Sequence, residues 1–453
     1  MSRAVVLFTC DLRVHDNGAL SRAASEHREV VPLFVLDREL LRRRCGSPNR
    51  LAFLVESLAG LASALADRGA TLIVRRGDVV HEALRVAGEW QADTIHMSAD
   101  TTPYAGARER RLRDACERER VRLCTHPGVT VLEPGAVTPV GGDHYRVFTP
   151  YMRAWSEAPR ADPLPAPRRI AVPSGLPRAA VPSLSELTRA KPSPELPAGG
   201  EREARRALTG FVRGGLGGYD SLRDDLAAAR TSHLSPYLHF GCLSPRTVLA
   251  RAEGRDRSGG FARQFCWRDF HHQVLAARPD MIAVDYHPRG DRWRRAGRVA
   301  QAWRAGRTGY PIVDAGMRQL LHEGFIHNRA RMIVASFLTK TLYIDWRLGA
   351  AHFAELLCDA DVANNVGNWQ WVAGTGNDAR PNRVLNPLRQ AERFDPLGDY
   401  VRRYVPELSA IEGAAVHRPW TLPARERRAL DYPARIVDHE LAARELHARR
   451  AAG

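Results

Sequence analysis

The stretch "AVVLFTCDLRVHDN", residues 4–17, begins with five apolar residues and continues into a polar segment without glycine. Similar short runs rich in Val, Leu and Ile follow at "EVVPLFVL" (29–36), "ATLIVRR" (70–76), "ADTIHMS" (92–98) and "VRLCTHPG" (121–128). Helical patterns separate them, among them "NRLAFLVESLAGLASALADRG" (49–69) and "VVHEALRVAGEW" (79–90). This alternation predicts a doubly wound, parallel α/β sheet domain over residues 1–130. Because no glycine-rich fingerprint follows the first strand, a standard NAD-binding domain is excluded.

The composition changes in the middle of the chain. Residues 157–200 are dense in Pro, Ala, Ser and Arg, as in "PRADPLPAPRRIAVP" (159–173). Such a segment cannot form a core, so we expect a long linker over residues 131–200 that wraps over the surface. From residue 201 onward the pattern is helical, as in "EREARRALTGFV" (201–212) and "IVDAGMRQLLHEG" (312–324). We therefore predict an all-α domain over residues 201–453.

Charge and composition narrow the class of protein. The 453 residues carry a formal net charge of +16, nearly all of it from arginine. This excess favours a polyanionic partner, nucleic acid above all, with a solvated basic surface as the alternative. The chain contains no apolar run of eighteen residues and no signal-peptide pattern, so we expect a cytoplasmic monomer that does not enter a membrane. The seven cysteines include no CxxC pair, which argues against a disulfide framework and a zinc or iron–sulfur site.

Two segments of the helical half carry groups suited to binding. In "TSHLSPYLHFG" (231–241), the hydroxyls of Thr231, Ser232 and Ser235 either cap a helix or bind a phosphate. In "RQFCWRDFHH" (263–272), Gln264 and Trp267 lie one helical turn apart. An amide beside an indole can bond a base edge while the ring stacks on the base. The alternative is an amphipathic helix whose aromatic side chains simply fill the core.

A third segment, "IHNRARMIVASFLTKTLYIDW" (326–346), places Asn328 and Met332 on one helix face. Arg331 lies on another face, and a buried arginine requires a carboxylate. Asp359 and Asp361 follow in "DADVANNVGNWQW" (359–371), a stretch that crowds two acids, two adjacent asparagines and two tryptophans together. Amides rather than further acids or histidines surround these two aspartates, so we assign no metal site. No nucleophile elbow, HExxH motif or P-loop occurs, and a hydrolytic site is not indicated.

Taken in order, several long motifs resemble the photolyase/cryptochrome family. They are "VVLFTCDLRVHDNGAL", "TSHLSPYLHFG", "GYPIVDAGMRQL", "HNRARMIVASFLTK", "YIDWR", "DADVANNVGNWQWVAGTG" and "RFDPLGDYVRRYVPEL". The branch they most resemble is that of the microbial cyclobutane pyrimidine dimer (CPD) photolyases, specifically the actinobacterial enzymes with a deazaflavin antenna. The resemblance implies that the helical domain binds FAD and that DNA carrying pyrimidine dimers is the substrate. In this reaction, light drives an electron from reduced flavin to the dimer, the ring opens, and the electron returns.

The resemblance also implies roles for individual residues of the FAD site. Arg331 and Asp359 form an ion pair beside the isoalloxazine, Asp361 lies at its polar edge, and Asn365 faces N5. The full set of expected FAD contacts is Tyr219, Thr231, Ser232, Leu234, Ser235, Phe261, Gln264, Arg331, Asp359, Asp361 and Asn365. Trp369, Trp346 and Trp293 match the family's chain for electron transfer to photoexcited, oxidised flavin. As ordinary core or surface aromatics, these three tryptophans would need no such role.

The lesion would be flipped out of the duplex into a pocket of the same domain. The expected catalytic residues are Gln264, Asn328, Met332 and Asn365, and the expected DNA contacts are Arg223, Gln264, Trp267, Asn328, Arg329, Met332 and Trp371. An antenna of 8-hydroxy-5-deazaflavin, or alternatively 5,10-methenyltetrahydrofolate, would occupy the N-terminal domain. Its candidate contacts are Phe34, Leu36, Asp37, Arg50, Leu51 and Asp100, which would otherwise serve as strand and helix core.

One position departs from the branch that the chain most resembles. Most CPD photolyases carry glutamate where this chain has Gln264, and enzymes that repair the 6-4 photoproduct carry glutamine there. The 6-4 enzymes also use a histidine pair, however, where this chain has Asn328 and Met332. We therefore expect CPD repair, with 6-4 repair and a cryptochrome-type blue-light sensor as alternatives. Sensors often have a long C-terminal extension, which we do not expect in this chain.

Overall fold

The computed structural model describes residues 2–42, 46–177, 180–228 and 230–451. Within these ranges it has five strands: β1 (Arg3–Phe8), β2 (Glu29–Asp37), β3 (Ile73–Gly77), β4 (Thr94–Ser98) and β5 (Arg122–His126). They form one sheet in the order β3-β2-β1-β4-β5, and every pair is parallel. The doubly wound sheet predicted from the sequence is confirmed. The chain order reverses at β1 and β4, where such sheets open a crevice at the carboxyl ends of their strands.

Five helices belong to the sheet domain: α1 (Gly18–Glu26), α2 (Arg38–Arg42), α3 (Pro48–Ala66), α4 (Val79–Glu89) and α5 (Pro103–Glu119). Successive side chains of a strand point to opposite faces of the sheet. Ala4, Val6 and Phe8 accordingly join the core that contains α1 and α3, and this core continues into the helical domain. Val5 and Leu7 belong to a second core, with α4 and α5.

The rest of the described chain is helical, as predicted for residues 201–453. Its helices are α6 (Phe148–Glu157), α7 (Leu184–Leu187), α8 (Glu201–Gly214), α9 (Tyr219–Leu222), α10 (Ser235–His239), α11 (Pro245–Ala252), α12 (Gly260–Ala277), α13 (Gly297–Arg304), α14 (Pro311–Glu323), α15 (Asn328–Ser336), α16 (Trp346–Leu356), α17 (Val362–Ala373), α18 (Pro387–Phe394), α19 (Asp399–Tyr404), α20 (Ala424–Ala429) and α21 (His439–Ala451). Short 3₁₀ turns occur at Leu216–Gly218, Pro279–Ile282, Pro406–Leu408, Gly413–His417 and Pro419–Thr421, and a π-helical turn at Phe337–Thr341. Among the described residues, no helix combines the length and apolar character needed to cross a bilayer.

The segment predicted as a linker, residues 131–200, contains α6 before its proline-rich part begins. This helix packs on α12, with the rings of Tyr151 and Phe270 centred 5.6 Å apart. The indole nitrogen of Trp155 donates to the buried carboxylate of Asp269 at 2.9 Å. The segment therefore joins the core of the helical domain as well as crossing its surface. The domain boundaries near residues 130 and 200 stay predictions.

Polar contacts fasten the sheet domain to the helical domain. The Arg50 guanidinium donates to the carbonyls of Ala354 (2.6 Å) and Leu357 (2.9 Å) at the C-terminal end of α16. A cation is favoured there because the last carbonyls of a helix lack internal partners and carry its negative partial charge. From the helical side, the Glu201 carboxylate accepts from the backbone of Val14 (2.8 Å) and His15 (3.1 Å). These contacts hold the carboxyl ends of the strands against the helices that carry the candidate site.

Candidate active site

Arg331 and Asp359 form the ion pair that the sequence predicted. The Nη2 atom of Arg331 lies 2.8 Å from Oδ2 of Asp359, and its Nε donates to the carbonyl of Ile326 at 2.9 Å. The Asp359 side chain is 4% exposed and that of Arg331 is 28% exposed. The other carboxylate oxygen of Asp359, Oδ1, is buried without a hydrogen-bond partner. The pair thus fixes one side of a site while leaving an acceptor unused.

Asp361 lies at the start of α17, where its Oδ1 accepts from the backbone N–H of Asn364 at 2.9 Å. Its Oδ2 lies 3.1 Å from Nε2 of His272 and 3.6 Å from Nη2 of Arg268. Burial raises the pKa of Asp361, but these two neighbours and the helix cap outweigh burial and hold the pKa well below its usual range. The carboxylate is therefore ionised at neutral pH.

The sequence did not predict the partners of Asp361. Arg268 and His272 are four residues apart on α12, so their spacing places them on one face, but no pattern directed that face towards Asp361. The other ring nitrogen of His272 lies 2.6 Å from the hydroxyl of Thr101, in the loop after β4. A polar chain therefore runs from the sheet domain through His272 to the start of α17.

Asn365 lies one turn into α17, where α12 and α17 approach closely. Gly367 permits this approach, because a Cβ at that position would collide with the ring of His271 on α12. The Nδ2 atom of Asn365 donates to the carbonyl of Ala350 on α16 at 3.0 Å. With the amide nitrogen so engaged, the carbonyl oxygen of Asn365 is the end available to a ligand.

The Thr231–Ser235 segment supports the binding interpretation of its hydroxyls more than the capping one. Helix α10 begins at Ser235 and has no side-chain hydrogen bond at its N-terminus. The Thr231 hydroxyl is buried without a partner, Leu234 is buried, and Ser232 is half-buried. The expected FAD contacts Tyr219 and Phe261 lie together in an aromatic cluster, with ring centroids 5.3 Å apart.

These observations fit a large polar cofactor such as FAD. A buried polar atom without a hydrogen-bond partner costs about 1–3 kcal/mol. Two atoms of expected flavin contacts, Thr231 Oγ1 and Asp359 Oδ1, are buried without such a partner. The free carbonyl of Asn365 adds a third unused group at the same set of residues. Hydroxyl, carboxylate and amide oxygens together suit the hydroxyls and ring N–H groups of a dinucleotide.

The residues predicted to meet the lesion are at least partly accessible. Asn328 is exposed, while Gln264, Trp267, Met332 and Trp371 are half-buried. The Gln264 amide nitrogen donates weakly to the carbonyl of Gly260, at 3.3 Å. Gln264 therefore keeps its carbonyl oxygen for a ligand.

The sequence did not predict two contacts of the lesion-pocket tryptophans, Trp267 and Trp371. Phe148 of α6 stacks on Trp267, with ring centroids 3.6 Å apart and planes inclined by 3°. The Arg383 guanidinium lies 5.0 Å from the ring centre of Trp371, which is within cation–π range. Phe148 comes from a segment distant in sequence, whereas Arg383 follows Trp371 in the loop after α17. Each contact covers part of one indole.

The two arginines predicted to bind phosphates already have acidic neighbours. Arg329 donates to Asp224 at 2.8 Å and lies over the ring of Phe394. Arg223 lies 3.5 Å from Asp220. Since both aspartates are more than a third exposed, these pairs contribute little and can exchange for phosphate.

The three tryptophans of the predicted electron-transfer chain range from buried to partly exposed. Trp369 and Trp346 are 2% and 0% exposed, and Trp293 is half-buried. The edge of the Trp369 indole fits against Gly349 of α16, where a Cβ would collide with it. Trp346 begins the same helix, and its indole nitrogen donates to Asp285 at 2.8 Å. The ring neighbours of Trp369 are Phe353 at 5.0 Å and Trp303 at 6.1 Å.

The antenna residues predicted from the sequence lie near the carboxyl ends of the strands. Phe34, Leu36, Asp37, Arg50 and Leu51 are all buried, and Asp37 at the end of β2 accepts a hydrogen bond from the Tyr104 hydroxyl. Asp100 instead accepts from its own loop, through Thr101 and Thr102.

The sequence missed Arg108 at this edge of the sheet. It is 7% exposed, and its Nε and Nη2 atoms are buried without a hydrogen-bond partner. Its guanidinium lies 5.8 Å from the ring centre of Tyr104. The Glu109 carboxylate lies 3.7 Å from Nη2 and supplies a counter-charge. Both nitrogens still lack a hydrogen-bond acceptor, which suits them to a ligand.

Buried neutral histidines should make the domain sensitive to mild acid. Burial lowers the pKa of His271, His327 and His352 to about 4, below the 6.5 of a free histidine. Between pH 6.5 and 4 the unfolded chain binds these protons and the folded chain does not, so stability is lost as pH falls through this window. Each histidine accounts for at most roughly 3 kcal/mol. The unfolding free energy of the wild type, measured from pH 7 to pH 4, should show this loss. The loss should be smaller in His271→Gln.

The matched control is His447→Gln, at an exposed position of α21. It should leave the pH dependence of unfolding unchanged. A wild-type stability that stays constant from pH 6.5 to pH 4 would contradict the assignment of neutral, buried imidazoles.

Comparison with known proteins covers both halves of the chain. Residues 4–168 match the family model described as DNA photolyase, and residues 261–452 match that of the FAD binding domain of DNA photolyase. A protein of Streptomyces griseus named deoxyribodipyrimidine photo-lyase is 52% identical over 442 residues, 97% of each chain. The structure of a bacterial class III photolyase from Agrobacterium tumefaciens superposes with a TM-score of 0.92 and 35% identity, covering 100% of this chain and 98% of that one. A Synechocystis cryptochrome superposes with a TM-score of 0.91 and 28% identity, covering 99% of each chain.

These similarities extend over the sheet domain, the linker and the helical domain alike. They include the segments that contribute Arg331, Asp359, Asp361 and Asn365, which lie in the part matched by the FAD-binding model. The chain therefore belongs to the photolyase/cryptochrome family.

Proposed function

We propose that this chain repairs cyclobutane pyrimidine dimers in DNA by light-driven electron transfer. The observation that carries the proposal is the end-to-end similarity to a protein named deoxyribodipyrimidine photo-lyase, at 52% identity. The Arg331–Asp359 pair, the ionised Asp361 and the free carbonyl of Asn365 supply the polar setting that such chemistry needs. When bound, reduced FAD supplies under light the electron that opens the cyclobutane ring, and the electron then returns to the flavin.

The residues around the flavin site hold charge and orient groups, and none is required to transfer a proton. The guanidinium of Arg331 places a fixed positive charge beside Asp359, which is favourable for an anionic cofactor. Asp361 is already committed to His272 and the start of α17, so it orients rather than titrates. Asn365 offers a neutral acceptor, which tolerates a change in the charge of its ligand better than a carboxylate does.

The half-buried aromatic residues suit a flipped base. An indole offers an apolar face to any base, worth about 1–3 kcal/mol per stacked base, and both Trp267 and Trp371 are partly accessible. The carbonyl of Gln264 supplies an acceptor for an N–H on the base edge. The charge of +16 supplies the attraction to the DNA backbone. We infer that the protein acts on DNA as a cytoplasmic monomer.

The residues at the pocket mouth favour CPD repair over 6-4 repair. Asn328 and Met332 offer no ionisable group, whereas 6-4 repair requires protonation of the lesion. The test is illumination of pre-reduced, purified protein with two oligonucleotides, one carrying a CPD and one a 6-4 photoproduct. We expect repair of the first alone. Repair of only the 6-4 substrate, or of neither, would overturn the proposal, and the latter would favour a light sensor.

Substitution of Gln264 should impair recognition of the lesion. We expect Gln264→Ala to lower kcat/KM for CPD repair by roughly ten- to a hundredfold, because a base N–H would lose its acceptor inside the pocket. Gln264→Glu keeps an acceptor at the same position and should retain most of the activity. Single-turnover repair under saturating light measures both variants. Equal rates for Gln264→Ala and the wild type would show that this side chain does not touch the dimer.

We propose that the sheet domain binds an 8-hydroxy-5-deazaflavin antenna at the crevice between β1 and β4. Support comes from the apolar walls of Phe34, Leu36 and Leu51. It also comes from Arg108, whose buried Nε and Nη2 atoms lack a hydrogen-bond acceptor and suit an acidic ring hydroxyl. Reconstitution with the deazaflavin should add an absorption band that Arg108→Gln weakens. If only 5,10-methenyltetrahydrofolate binds, the folate alternative replaces this proposal.

A further inference from the structure

Three histidines meet on the α1 face of the sheet, in a cluster that neither the flavin site nor the antenna site uses. His27 follows the last residue of α1, His96 lies in β4, and His126 ends β5. They come from separate segments, so no spacing in the sequence predicts their meeting. Across the described part of the chain, the structure has one group of three residues with metal-ligand atoms within 4.8 Å of one another: Glu26, His27 and His96.

The distance between the two histidine nitrogens is that of ligands sharing an ion. The Nε2 atoms of His27 and His96 lie 3.2 Å apart. Two nitrogens that bind one tetrahedral Zn²⁺ at about 2.0–2.1 Å are roughly 3.3 Å apart. His96 is fully buried, and the side chain of His27 is 3% exposed. A carboxylate oxygen of Glu26 completes the group, from a side chain that is 32% exposed and open to exchange with solvent.

One of the two ligand histidines, His96, also has a second neighbour that orients it. The Nδ1 atom of His96 lies 2.9 Å from Nε2 of His126, so His126 can accept the remaining ring N–H. The Nδ1 atom of His27 is buried without a hydrogen-bond partner, and the nearest carboxylate, that of Asp93, lies 3.9 Å away. A ligating histidine usually donates its other N–H to an outer acceptor, which fixes the tautomer and orients the ring.

The carboxylate of Glu26 has a present partner that it can release. Glu26 is paired with Arg22 on the surface, a contact weak enough to be exchanged for an ion.

We propose that Glu26, His27 and His96 bind a divalent transition metal of the zinc class, with His126 as the outer acceptor for His96. Two imidazole nitrogens and one carboxylate oxygen are a frequent zinc ligand set, and they leave a fourth position for water. Imidazole-rich sites select such metals over Mg²⁺ and Ca²⁺, which prefer oxygen ligands throughout. The ion would tie the end of α1 to β4. This site is independent of the proposed repair activity.

The test uses full-length, tag-free protein with its flavin, stripped with chelator and then incubated with one equivalent of Zn²⁺. After gel filtration, elemental analysis should find one zinc per chain. Co²⁺ in its place should give the visible absorption of a four-coordinate ion, at wavelengths beyond the flavin band. Retention of no zinc, or cobalt spectra of the hexaaquo ion alone, would overturn the proposal.

Variants separate this site from adventitious binding. His27→Ala should abolish equimolar binding, and Glu26→Gln should weaken it at an exposed position where the fold is not at risk. His126→Gln should lower the zinc affinity by roughly ten- to a hundredfold, as loss of an outer acceptor does. The matched control is His81→Ala, an exposed histidine on α4, which should bind as the wild type does. If His27→Ala and Glu26→Gln both retained as much zinc as the wild type, the metal would lie elsewhere and the assignment would be refuted.

Discussion

The Arg331→Met variant is expected to purify without flavin and to lose about 3–5 kcal/mol of unfolding free energy. The reason is the environment of its partner, because the Asp359 carboxylate is 4% exposed and cannot rehydrate once the guanidinium is gone. Methionine keeps most of the arginine's apolar stem, so the change removes charge and hydrogen bonds more than packing. The measurements are flavin content after gel filtration and urea unfolding of the flavin-free proteins. Removing flavin from both proteins prevents the loss of ligand from being counted as a loss of intrinsic stability.

A matched control lies two residues away on the same helix. Arg329 also pairs with a carboxylate, that of Asp224 at 2.8 Å, but this partner is 38% exposed. Arg329→Met should therefore cost less than about 1 kcal/mol and leave the flavin bound. It should weaken DNA binding instead, if Arg329 contacts a phosphate. Equal destabilisation by the two substitutions would mean that the burial of Asp359 has no energetic consequence.

The reverse substitution tests the same asymmetry. Asp359→Asn leaves Arg331 without its anion, but that guanidinium is 28% exposed and keeps its bond to the carbonyl of Ile326. Its cost in stability should be smaller than that of Arg331→Met. Because Asp359 is buried and Arg331 is partly exposed, each substitution leaves a different group unpaired. The two losses of unfolding free energy therefore need not be equal.

Much of this site was accessible from the sequence because its key residues are close along the chain or matched a known motif. Asp359, Asp361 and Asn365 fall within seven residues. Charge indicated a carboxylate partner for a buried arginine, and the family resemblance implied that Arg331 pairs with Asp359. The Arg331–Asp359 contact is confirmed. The parallel sheet was predictable for a related reason, since alternating buried strands and amphipathic helices have few other ways to pack.

What the sequence did not predict are partners brought together by the tertiary fold. Thr101, in a loop of the sheet domain, meets His272 of α12, which in turn meets Asp361 of α17. Phe148 stacks on Trp267 from within a segment assigned as linker. The first contact depends on how the two domains dock, and the second on how α6 packs against α12. Neither residue spacing nor hydrophobic periodicity contains that information. Arg108 was missed likewise, because an arginine in a helix normally indicates a solvated face, and only its burial marks it as unusual.

The Trp369→Phe variant is expected to lose most of its photoreduction while repairing CPDs at nearly the wild-type rate once reduced beforehand. Phenylalanine fills much of the same space between Gly349 and Phe353, but its ring is far harder to oxidise than an indole. Photoreduction needs an oxidisable side chain beside the flavin site, whereas repair needs only a flavin that is already reduced. The measurements are the rate of photoreduction of oxidised protein with an external reductant and the repair yield of dithionite-reduced protein.

Trp303→Phe is the control that separates electron transfer from packing. Trp303 is fully buried, and its ring centre lies 6.1 Å from that of Trp369. A smaller side chain there disturbs the packing around Trp369 without removing a member of the predicted electron-transfer chain. It should photoreduce normally. Trp293→Phe removes the half-buried end, where an external reductant can reach the chain, and should resemble Trp369→Phe. If photoreduction were slow in Trp303→Phe and normal in Trp293→Phe, electrons would enter by another route. The electron-transfer role predicted for Trp346, whose indole donates to Asp285, would then also be wrong.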